Sequence, residues 1–124
     1  MLKYAWPNLL FLALLISSCG RDLPELEGMD LVSWKNDKNA CSGNRLEMLK
    51  SIESGKEKLI ALSEMDIVAL LGKPDQNELY KRNQKFYTYF IQPAAVCKTG
   101  TNHPKRLVIR FNAMGLAKEV SIES

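Results

Sequence analysis

The sequence predicts an α+β fold of two layers, two helices packed on one face of a three- to four-stranded antiparallel sheet, in the order α-α-β-β-β. Three observations carry this. Apolar residues recur at helical spacing as far as Leu71, the period changes to two from Asn77 onward, and Gly72-Lys73-Pro74 punctuates the change. Helices gathered before a run of strands bury their apolar stripe against one sheet face, which makes a two-layer domain.

The first nineteen residues are of a different kind. Lys3 precedes an apolar run from Leu9 to Ile16, and Ile16-Ser17-Ser18-Cys19 follows. A positive start, an apolar stretch and small residues before a cut site define an export signal. The run is too short for a membrane-spanning helix, which needs about 20 apolar residues. Ile16 to Cys19 resembles the bacterial lipobox, whose cysteine is lipidated before the peptide is cut in front of it. That resemblance implies a cleaved lipoprotein signal peptide over residues 1–18, lipidation of Cys19 and a membrane partner reached through the lipid. Two or more acyl chains hold durably where one holds only marginally. Gly20 follows the cysteine, and the absence of Asp there leans toward the outer membrane, with the protein facing the periplasm. Residues 19–28, acidic and broken by Pro24, read as a flexible tether.

The remainder, 29–124, has the size of one small domain. Its charge is nearly balanced, since the whole chain carries a formal +3, and no basic stripe marks a nucleic-acid partner. Leu31, Val32 and Trp34 form a short strand or helical turn that lids the core, with Trp34 as a packing anchor. A helix is expected from Asn44 to Ser54, presenting Leu46, Met48, Leu49 and Ile52 on one face and ending at Gly55. A second helix starts at the N-cap Ser63, with Asp66 completing a variant capping box, and ends at a left-handed Gly72 before Pro74. Leu79 to Arg82 and Lys85 to Gln92 then read as antiparallel strands joined around Arg82-Asn83-Gln84. Leu107, Ile109 and Phe111 define a third strand. After the turn Asn112-Ala113-Met114-Gly115, Leu116, Val120 and Ile122 define another.

Export sorts the three cysteines. Cys19 goes to lipid, and Cys41 and Cys97 remain as a pair, both in loop-like contexts, in an oxidising compartment. A structural disulfide is the favoured reading and would contribute roughly 4 kcal/mol by loop entropy. Free thiols or half of a metal site are the rivals. Metal has little support, because His103 is the only histidine and no Cys-x-x-Cys occurs. Asp37-x-Asn39-x-Cys41 begins like a calcium loop but lacks the ligand and glycine that should follow. No cofactor is called for.

Leu62 to Asp75, with its capped helix ending in Leu71-Gly72-Lys73-Pro74-Asp75, followed by Phe86-Tyr87-Thr88-Tyr89-Phe90 and Leu107-Val108-Ile109-Arg110-Phe111, resembles the BamE/SmpA family of outer-membrane lipoproteins. A wider superfamily shares the pattern, including modules that bind other proteins, such as a β-lactamase inhibitor. The resemblance implies two helices on a three-stranded antiparallel sheet and a habit of binding proteins. It also implies an accessory role at the machinery that assembles β-barrel proteins. Trp34 to Arg45 and the two extra cysteines depart from the assembly subunit.

No nucleophile, base and oxyanion set can be named. Asp37, Asp66, Asp75 and Glu78 sit beside caps and turns, Ser42 and Ser63 have no base nearby, and His103 lies in a loop. The expectation is a non-catalytic protein-binding module, a lipoprotein of the cell envelope. The same fold binding or inhibiting another envelope protein is the second reading, and an enzyme with a dispersed site is the third. The strand Phe86 to Ile91 is apolar on both faces: Phe86, Thr88 and Phe90 on one, Tyr87, Tyr89 and Ile91 on the other. Either the Cys97 loop and the Met29–Trp34 segment cover the outward face, or it is an exposed aromatic patch. Hydroxyls tolerate water, so Tyr87 and Tyr89 are placed outward and, with Tyr80, are the expected partner-binding residues.

Overall fold

The computed structural model describes residues 22–124. The export signal and Cys19 lie outside the described residues. Among the described residues four α-helices precede a four-stranded antiparallel sheet of order β1-β2-β3-β4, the two-layer α+β arrangement that the change of period predicts.

Helix α1 (Leu31–Asn36) starts at Asp30, whose carboxylate accepts the Ser33 N–H at 3.2 Å, and delivers a fully buried Trp34 to the core. The helix expected from Asn44 to Ser54 is two helices, α2 (Asn44–Glu47) and α3 (Leu49–Gly55), separated at Met48. This break turns Arg45 and Met48 inward together with Ile52 and leaves Leu46 exposed, against the expected apolar face. The cause is polar: the Arg45 side chain has buried acceptors waiting for it. Helix α4 (Glu64–Leu71) carries the capping box in full, Ser63 Oγ accepting the Asp66 N–H at 3.1 Å and Asp66 accepting the Ser63 N–H at 3.3 Å. Gly72 ends it at φ 83°, ψ −176°, which is not the expected left-handed cap but an extended conformation essentially confined to glycine.

Packing reaches further toward the N-terminus than the tether reading allowed. Leu26 is buried in the main core, its Cδ2 in contact range of Gly55, and the Glu25 carbonyl accepts Lys58 Nζ at 3.0 Å. Residues 25 and 26 are thus docked on the helical layer rather than belonging to a free linker.

In the sheet, β1 (Gln76–Tyr80) and β2 (Gln84–Phe90) are joined by a tight turn over Lys81–Asn83 in which Arg82 and Asn83 adopt positive φ. β1 begins three residues before the predicted Leu79, because Asp75 is anchored in a buried network and its N–H already bonds the Thr88 carbonyl at 2.9 Å. β3 (Arg106–Phe111) and β4 (Ala117–Glu123) complete the sheet. The inner face supplies Tyr87, Tyr89, Ile91, Leu107, Ile109 and Phe111, which close on Trp34, Ile52, Leu59, Ile67 and Leu71 to form the core. Each fully buried side chain of this size stabilises by about 1.5–3 kcal/mol.

Candidate functional site: the outer face of the sheet

Alternation decides what the opposite face presents. Cross-strand register sets up three rows: Gln76–Thr88–Val108–Ser121, Glu78–Phe86–Arg110–Glu119, and Phe90–Arg106–Glu123. The face is covered at one end and open at the other. At the covered end the Cys41–Cys97 disulfide, with its Cα atoms 5.3 Å apart, holds the segment around Ala94 over Phe90, and Ala40, Phe90, Ala94 and Cys97 form a small second core. Gly100 lets this loop close, because a Cβ there would stand 1.7 Å from the Ala94 carbonyl oxygen. At the open end Tyr80 is exposed and meets Phe86 edge-on, their ring centroids 5.7 Å apart. A cleft of about 540 Å³ lies between these ends, lined by Phe86, Phe90, Val108 and the loop residues Ala95 and Val96, with Asn39, Asp75, Glu78 and Arg106 at its polar margin. Both coverage and exposure therefore occur, on different parts of one face.

The aromatic assignment reverses for two residues. Tyr87 and Tyr89 face the helices, 7% and 0% exposed, so neither offers a surface to a partner directly. Their hydroxyls find internal acceptors in place of water: Tyr87 donates to Glu64 Oε1 at 3.1 Å and Tyr89 to the Gly72 carbonyl at 2.7 Å. Burial pushes both phenols up from the usual tyrosine range, with Glu64 adding to the effect at Tyr87. Tyr80 alone of the three remains on the accessible outer face.

Behind the cleft lies a polar cluster in which three sequence segments meet. Arg45, 1% exposed, donates from Nε to the Trp34 carbonyl at 2.9 Å and from Nη1 to Asp75 and to the Phe90 carbonyl, and its guanidinium lies 5.0 Å from the Trp34 ring centre. Asp75 also accepts the N–H groups of Asn39 at 3.0 Å and Phe90 at 2.9 Å. Asp37 accepts from Ser42 and Arg45 backbone N–H groups at 2.7 and 3.0 Å. Every carboxylate oxygen is thus occupied by a donor, which is how a charge survives burial. This cluster fixes the ends of β1 and β2 and the disulfide-bearing segment relative to each other. Trp34 Nε1 is the one buried side-chain donor among the described residues without an acceptor, and the ring is held by packing.

The remaining candidates scatter. Asp66 completes a helix cap, while Ser42 and His103 are exposed in separate loops. Among the described residues no group of three or more His, Cys, Asp or Glu could hold a metal ion, and no helix is long and apolar enough to cross a membrane. Arg45 is the residue that sequence reasoning missed. Its only signal was position, three residues before Met48 on the buried stripe of a helix. No family model, curated protein or solved structure matches the chain.

Proposed function

We propose that this chain is a non-catalytic protein-binding module of the bacterial cell envelope, held to the membrane by lipid on Cys19, and that it binds through the outer face of its sheet. The observation that carries this is the half-covered face: a cleft of about 540 Å³, lined by both apolar and polar side chains, whose wall is pinned by a disulfide and braced by a buried ion pair. A wall stiffened in this way loses little freedom on binding, which favours affinity. Phe86 and Tyr80 supply the aromatic surface that protein interfaces favour.

The anchor suits this reading. Cys19 stands seven residues before the docked Leu26, so the domain would be held within about 25 Å of the bilayer. Leu26 packs in the helical layer, and the cleft is on the opposite side of the sheet, away from the point of attachment. Accessory work in assembling β-barrel proteins is the specific version that the motif from Leu62 to Asp75 suggests.

The test is a photo-crosslinking residue at Val96 or Phe86 in living cells, followed by mass spectrometry of the adduct. One envelope protein captured reproducibly from both positions, and lost on Val96→Glu, is the expected result; barrel-assembly subunits among the adducts would single out the specific version. Equal labelling of many abundant proteins would remove the cleft from consideration as a binding site. In parallel, Cys19→Ser should move the protein from the membrane to the soluble fraction.

A further inference from the structure

We infer that the free edge of β1 is a docking site for an extended segment of the partner protein, one with a basic side chain facing Glu78 and an apolar side chain beside Leu79. This rests on the protein-binding reading and names the chemistry of the bound segment. β1 is an edge strand, and all five of its residues are exposed. The other edge is partly closed: the segment before α4 bonds to the start of β4, Ala61 N–H to the Ala117 carbonyl and Ala117 N–H to the Leu62 carbonyl, each at 2.8 Å. An edge carries a row of unpaired N–H and C=O groups that an extended polypeptide can satisfy. Natural edges are guarded by lysine, proline or bulges, whereas β1 carries Leu79 at 70% and Tyr80 at 60% exposure.

What lies on each side of the edge supports specificity. Side chains of an added strand would alternate between the two faces of the sheet. Outward-pointing ones would continue the row of Glu78 and Phe86 into the cleft already described. Inward-pointing ones would lie beside the exposed Leu79, on the side of the sheet where a second groove of about 530 Å³ is lined by Glu64, Met65, Val68 and Ala69 of α4 and by Tyr87 of β2. Charge selects the occupant. Elsewhere on the outer face the carboxylates are paired, Glu119 with Arg110 at 3.0 Å and Glu123 with Arg106 at 3.8 Å, while Glu78 makes no ion pair among the described residues. A second copy is disfavoured, because full antiparallel overlap of two β1 strands sets Glu78 against Glu78, a repulsive cross-strand pair.

The probe is an end-blocked eight-residue peptide of alternating Val and Lys, titrated into the full ¹⁵N-labelled chain in detergent solution, with amide exchange as the readout. The expected result is protection of those amides of residues 76–80 that β2 leaves unpaired, with binding roughly fivefold weaker in Glu78→Lys. A strand pairs through one edge only. Methylating one alternate set of peptide nitrogens should therefore weaken binding about tenfold or more, and methylating the other set should not. No protection at 76–80, protection at β4 instead, equal loss from both methylated sets, or equal binding of a control peptide with every Lys replaced by Glu overturns the inference. So does β1 protection that appears without peptide and tracks dimer formation by sedimentation. The in-cell crosslink from Val96 separates the two claims: an adduct there with β1 unprotected leaves the protein-binding reading standing and removes the edge. β1 protection by peptide with no adduct in cells from Val96, from Phe86 or from a further photo-crosslinking residue at Leu79 removes the protein-binding reading and, with it, the inference that rests on it.

Discussion

Replacing Arg45 by Met probes the cluster that joins the cleft to the core. The substitution keeps an unbranched apolar stem and removes the guanidinium, leaving the Asp75 side chain buried without its cation. Breaking a buried pair by removing one partner costs about 3–5 kcal/mol, a large part of the roughly 5–15 kcal/mol that holds a domain together. At roughly 5 °C per kcal/mol for a domain of this size, the melting temperature should fall by roughly 15–25 °C. The sharper test is Arg45→Met combined with Asp75→Leu. Replacing a whole buried pair by apolar residues is often neutral or stabilising. Here it is not expected to be, because Asp75 also accepts the N–H groups of Asn39 and Phe90, at 3.0 and 2.9 Å. Those two donors would be stranded at about 1–3 kcal/mol each, so the double variant should stay below the parent by roughly 2–6 kcal/mol. Urea unfolding of parent, both single variants and the double variant measures this directly. A double variant as stable as the parent would show that the backbone bonds to Asp75 are dispensable, and the reasoning that makes the cluster a clamp would fail.

Replacing both Cys41 and Cys97 by Ala opens a loop of 56 residues and should cost about 4 kcal/mol in the loop-entropy model, read from the urea midpoint. Amide exchange in that variant should rise first around Ala94 and Ala40, whose small core the bridge closes. Ser63→Ala removes the hydroxyl that accepts the Asp66 N–H, one half of the capping box, an expected loss of about 1 kcal/mol. Tyr89 predicts an alkaline weakness. Its hydroxyl is held above the ordinary tyrosine value chiefly by burial, so its contribution is fully present below about pH 10 and is lost as pH rises through the higher folded value. Tyr89→Phe should flatten that alkaline decline while costing about 1 kcal/mol near neutrality, where the Gly72 carbonyl loses its donor. A parent and variant with identical pH profiles would contradict this.

How much was legible depended on the range of the interaction. The Ser63–Asp66 cap, the turn ending at Gly115 and the period-two strands are written in neighbouring residues, and the structure places each within a few residues of expectation. The pairing of Cys41 with Cys97 was reachable by counting, once Cys19 was set aside. The β1 boundary was not, because it is set by Asp75 bonding to Arg45 and to Phe90, partners far along the chain. The facing of β2 was ambiguous for a related reason. Both sides of Phe86 to Ile91 are apolar, so alternation alone could not say which side meets the helices, and hydroxyl groups proved a poor guide when Glu64 and Gly72 supplied internal acceptors.

The sequence by itself determined the class of fold, since hydrophobic period and capping residues are local and each element has to bury its own stripe. It also determined where the helices and strands change over, at Gly72 and Pro74, because glycine and proline restrict the backbone wherever they stand. Tertiary structure alone decided which tyrosines are hidden, that Arg45 turns inward, and that the outer face is half covered with β1 left open beside it. Those outcomes depend on which distant groups can satisfy a buried hydroxyl, guanidinium or backbone amide, and that matching exists only once the layers have come together.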